Sequence, residues 1–142
     1  MFFYYIREVS MLKIKIADIA IAAIEGVLVA GLFSFWSPCP VGEHIMGCHW
    51  VSNVTVALSS AVILLSLLKL LSGEVLFRRG INSAVLLISL IQAFVPGWLI
   101  AICAHEHMRC HVYSQPAVVT VAGIVALITI GELVLDRKPA AV

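Results

Sequence analysis

Four stretches of this chain, residues 15–36, 54–73, 82–102 and 117–135, are almost wholly apolar and each is about 20 residues long. A helix rises 1.5 Å per residue and the hydrocarbon core of a bilayer is about 30 Å thick, so each run matches one crossing. The runs are too long for membrane strands, and none alternates with period two. Composition narrows the class further: 62 % of the 142 residues are hydrophobic and only 12 % charged, with a mean hydropathy of +1.08. A soluble domain of this size needs far more polar surface, and a disordered chain is more polar still. The net charge of +1 gives no electrostatic footprint for nucleic acid. The expected architecture is an all-α polytopic membrane four-helix bundle, one integral membrane domain over residues 1–142.

Basic residues in short loops set orientation. Arg7, Lys13 and Lys15 precede the first run, Arg78 and Arg79 lie between the second and third, and Arg137 and Lys138 follow the fourth. The two remaining loops, 37–53 and 103–116, hold one basic residue, Arg109. Both termini are therefore expected on the cytoplasmic side of the cell membrane, with those two loops outside. Trp36, Trp50, Trp98 and Tyr113 fall near the outer boundary, where amphipathic rings prefer to sit. The first run exceeds the 7–15 residues of a signal-peptide core and is read as a retained helix. Met11 is an alternative start, which would make residues 1–10 an interfacial extension.

The outer loops repeat one another. The first reads Cys39-Pro-Val-Gly-Glu-His-Ile-Met-Gly-Cys48-His-Trp, the second Cys103-Ala-His-Glu-His-Met-Arg-Cys110-His-Val. With small gaps these align as Cys, Glu-His, Met, one residue, then Cys-His. Each motif joins an outgoing helix to a returning one, so two repeated helical hairpins are expected to present both motifs on one face. All four cysteines and all five histidines of the chain fall in these loops.

Three uses of the loops follow from residue type. Thiols in an oxidising outer compartment tend to pair; joining Cys39 to Cys48 and Cys103 to Cys110 respects the repeat, and two other connectivities are open. As structural clips such bonds would each contribute about 2–3 kcal/mol. As a metal site, His44, Met46 and His49 with His105, His107, Met108 and His111 supply imidazole and thioether ligands, which favour copper, or iron with help from Glu43 and Glu106. The third use is thiol–disulfide exchange. Haem attachment is not expected, because Cys48-His49 and Cys110-His111 lack a cysteine three residues earlier.

Two resemblances bear on these uses. Cys39, Met46, Cys48, His49 and Trp50, then Cys103, Met108, Cys110, Pro116 and Ala117, form a pattern that resembles a family of small bacterial four-helix membrane proteins of unassigned function. That resemblance covers most of the chain and implies a partner of a membrane transport system; the family's second motif carries Arg in place of His111. The layout of four helices with two cysteines in each outer loop also resembles the quinone-linked disulfide oxidases of the DsbB type, which would imply a thiol–disulfide oxidoreductase. The cysteines here are separated by eight and six residues, whereas the reactive pair of that family is Cys-x-x-Cys.

Charged residues within spans are costly and are functional candidates. Asp18, Lys69 and Glu132 lie near the inner ends of their helices, placed either to reach the interface or to pair, Lys69 with Asp18 or Glu132. Glu25 lies near the midplane beside Ala22, Gly26 and Ala30, small residues that allow close helix approach; it is expected to meet Gln92, with a proton or cation relay as the functional alternative. Pro96-Gly97 is expected to kink the third helix. Phosphate-binding loops, His-Glu-x-x-His and serine-nucleophile elbows do not occur in the sequence. The function that best fits is an integral membrane accessory protein whose outer loops bind or pass a transition metal or dock a transporter or extracytoplasmic partner; the alternatives are the oxidoreductase and a purely structural subunit.

Overall fold

A computed structural model describes residues 2–39, 47–102 and 107–137, with side chains described at 12–39, 47–102 and 107–136. It contains four α-helices: α1 over Phe2–Phe33, α2 over Gly47–Leu71, α3 over Val75–Phe94 and α4 over Gln115–Arg137. A π-helical turn, Cys110–Ser114, leads directly into α4. All four helices are long and apolar enough to cross a membrane, and the protein is a multi-pass membrane protein.

The helices close a ring in which α1 packs on α2, α2 on α3, α3 on α4 and α4 on α1. Asp18, Lys69, Asn82 and Glu132, one from each helix, are all buried toward one end of the ring. Leu32, Cys48, Pro96 and Cys110 line a common cavity at the other. Neighbouring helices therefore run antiparallel.

Burial follows a seam with steps of three and four residues. On α1 it runs Ile14, Asp18, Ile21, Glu25, Leu28 and Leu32; on α2 it runs Cys48, Val51, Thr55, Ser59, Val62, Ser66 and Lys69. Such spacing keeps one stripe of each helix facing its neighbours in the bundle. The seam is rich in polar groups, while Leu64, Leu71, Leu76, Leu87 and Leu127 are exposed. Lipid tails are as apolar as leucine, so packing and hydrogen bonds, not the expulsion of water, hold spanning helices together. Two apolar clusters punctuate the seam, one around Ile21, Val62, Val85 and Val125 and one around Leu28, Leu32 and Val118.

The helix limits differ from those expected from hydropathy. α2 begins at Gly47, not near 54, so Cys48, His49 and Trp50 ride on its first turn instead of a loop. The expected turn at Arg78-Arg79 is helical; α3 starts at Val75 and follows only Ser72, Gly73 and Glu74. α3 ends at Phe94 and is not merely kinked. Pro96 cannot donate an amide to the helix, and Gly97 adopts φ +94°, bonding its amide to the Ile100 carbonyl at 3.0 Å. Gly97→Ala is expected to cost about 1–2 kcal/mol, the penalty of left-handed backbone for a residue with a Cβ. The nearest atom to that Cβ, Gln115 Nε2, is 3.4 Å away, so the cost is conformational; unfolding in mixed detergent reads it.

Candidate functional site

Cys39, Cys48 and Cys110 meet at one end of the ring, their sulfurs all within 4.8 Å of one another. Each arrives from a different element. Cys39 follows the turn that ends α1, where Trp36 folds back on Gly31, its amide bonding the Gly31 carbonyl at 2.7 Å. A Cβ on Gly31 would collide with the Trp36 ring, so the turn requires glycine there. Ser114 Oγ donates to the Trp36 carbonyl at 2.8 Å, tying the π turn that carries Cys110 to the turn that leads to Cys39. Cys48 is placed by close backbone contact, because a Cβ on Gly47 would meet the Ala101 carbonyl oxygen.

Cys39 and Cys110 are free thiols, with Sγ atoms 3.4 Å apart. Pairing of Cys39 with Cys48 inside the first loop, expected from the repeat, is thus not the arrangement adopted: Cys39 faces the cysteine of the other hairpin. The cause is the early start of α2, which fixes Cys48 on a helix end instead of leaving it in a slack loop. Cys48 is disulfide-bonded. Cys48 and Cys110 are buried and Cys39 is half-buried. An apolar cavity of about 10 Å³, room for about one water, lies against Cys48 and Cys110 between Leu32, Pro38, Val51 and Val118.

The expected histidine and methionine ligands are distributed differently. His44, Met46, His105 and Cys103 lie outside the described residues. His107 is exposed, while His49, Met108 and His111 are half-buried. Among the described residues, the one group of three or more His, Cys, Asp or Glu close enough to share a metal is the sulfur trio.

Deeper in the bundle the buried polar residues form two further groups. At the midplane, Gln92 donates to Glu25 at 3.3 Å and to Ser59 at 3.2 Å; all three side chains are fully buried. At the far end Lys69 Nζ contacts both Asp18 and Glu132 and donates to Asn82 Oδ1 at 2.6 Å. Asp18, Lys69 and Glu132 are 1–3 % exposed, so they pair inside the bundle and do not extend to the interface. Ser59 and Asn82 were not singled out from the sequence. Their three- and four-residue spacing from other seam positions was the available signal.

A family model, the domain of unknown function DUF4418, matches residues 19–135. The chain belongs to the DUF4418 family. No curated protein and no solved structure matches it. The DUF4418 match takes in the three described cysteines, Glu25, Lys69 and Glu132, and begins one residue after Asp18.

Proposed function

We propose that this DUF4418 protein is an integral membrane thiol–disulfide exchange protein whose reactive dithiol is Cys39 and Cys110. The supporting observation is the contact of these two free thiols at 3.4 Å beside the sulfur of disulfide-bonded Cys48. Exchange proceeds by attack of a thiolate on a disulfide sulfur, and this group supplies both partners. The Cys110 thiolate attacks Cys48 and displaces the thiolate to which Cys48 was bonded. The Cys39 thiolate then attacks Cys110, leaving a Cys39–Cys110 disulfide and a Cys48 thiolate. Two thiol protons are released, two thiolates are formed, and the electron pair moves from one cysteine pair to the other. A cysteine-containing extracytoplasmic protein then reoxidises or draws on the site, in keeping with the orientation expected from the basic residues.

A second reading is favoured by the grouping itself: thiolates suit soft metals such as Cu(I), and Cys39 and Cys110 would hold one, joined by Cys48 only after reduction of its disulfide. Thiol trapping in cells, followed by mass-tagging, tests the first reading. Wild type is expected to show interconverting reduced and Cys39–Cys110-bonded forms, and Cys39→Ser to accumulate a mixed disulfide at Cys110. A single redox form, unmoved by oxidant or reductant and with no mixed disulfide, would overturn it. Stoichiometric copper in the untagged protein, lost in Cys110→Ser, would instead favour the second.

A further inference from the structure

We propose that the Asp18–Lys69–Glu132 cluster is a proton-binding site that holds one proton between its two carboxyl groups. The proposal rests on a charge count in an enclosed place. Two carboxylates and one ammonium, each 1–3 % exposed, sum to −1, and an uncompensated charge inside an apolar bundle is strongly disfavoured. α3 faces the cluster with Asn82, a neutral group whose Oδ1 is taken by Lys69. Arg78 lies one turn earlier on α3 and is also buried, its Nε and Nη2 without hydrogen-bond partners among the described residues. No ion pair joins Arg78 to either carboxylate among the described residues. Arg79 is engaged elsewhere, donating to the Asp136 carbonyl at the end of α4. On α4, Thr129 donates to its own helix at Val125, and Asp136, one turn beyond Glu132, keeps its Oδ2 buried without a hydrogen-bond partner among the described residues.

A second observation points to the missing proton. Glu132 Oε1 is buried without a hydrogen-bond partner among the described residues. A carboxyl proton supplies the donor that a carboxylate lacks. A metal cation fits less well, because such ions take several oxygens and the ammonium already occupies the point where Asp18, Glu132 and Asn82 converge. The apolar layer of Ile21, Val62, Val85 and Val125 lies between this cluster and Glu25.

Infrared spectroscopy of the full chain in lipid vesicles at pH about 8, where exposed carboxyl groups are ionised, tests this. Glu25→Gln serves as the background, removing the midplane carboxyl group from the signal. One protonated carboxyl stretch per chain is expected, sensitive to deuterium exchange. It should vanish in both Glu132→Gln and Asp18→Asn, each of which leaves a neutral ion pair with Lys69. Absence of the band in the background protein, its persistence in both variants, or its appearance only when sodium is withheld would each overturn the proposal. If one variant fails to fold, the other still decides.

Discussion

Lys69→Met is expected to destabilise the bundle by about 3–5 kcal/mol, the cost of removing one partner from a buried ionic group. Methionine matches the length of the lysine stem, so the cavity contribution is small and the loss is electrostatic. It strands Asp18 and Glu132 together and removes the donor to Asn82 Oδ1. Each of these partners sits on a different helix, so the damage extends around the whole ring. Unfolding in a graded mixture of mild and denaturing detergents measures the change. Adding Glu132→Gln to Lys69→Met is expected to recover part of it by replacing one of the two stranded carboxyl groups with a neutral amide. A loss below about 1 kcal/mol, the range of an exposed ion pair, would contradict the burial described here.

Gly47→Val is expected to have the next largest effect, and to join stability to chemistry. Any Cβ at this position meets the Ala101 carbonyl oxygen, and backbone cannot rotate aside as a side chain can. Overpacking of this kind costs about 1–3 kcal/mol. Because Gly47 is the first residue of α2, relief requires the start of that helix to move, and Cys48 moves with it. The Cys39–Cys110 pair sits elsewhere, on the α1 turn and the π turn. The variant is therefore expected to slow exchange with Cys48 at least tenfold while direct oxidation of Cys39 and Cys110 by a small disulfide reagent continues, as thiol-trapping time courses would record. Equal slowing of both reactions would place Cys48 outside the pathway.

The four crossings were legible because a bilayer demands a length of apolar chain that few other environments do. Their limits were less so. Hydropathy finds where a helix is in lipid, whereas α2 starts seven residues before the expected 54 and carries polar His49 on its first turn. Conversely, Leu99 and Ile100 read as membrane helix yet follow the turn forced by Pro96 and Gly97. The partners of Lys69 were readable because charges at the same depth seek one another. Their joint engagement was not, since that depends on helix rotation. The sulfur site was half legible: the loop positions of the cysteines were evident, but the repeat suggested bonds within each loop. What decides the matter is where the helices begin, and that depends on Gly47, Trp36 and Ser114 contacts made across the chain.

The contact between Cys39 and Cys110 also has a consequence for the connectivity of the polypeptide. These residues are 71 positions apart and lie on opposite sides of the short turn at Ser72–Glu74. With the pair reduced, a single cleavage in that turn leaves the front and back halves linked covalently only if the Cys48 bond crosses between them. With the pair oxidised, the chain becomes a closed loop through α2 and α3, and the same cut opens the loop without separating the pieces. The two redox states are thus two different covalent graphs of one fold.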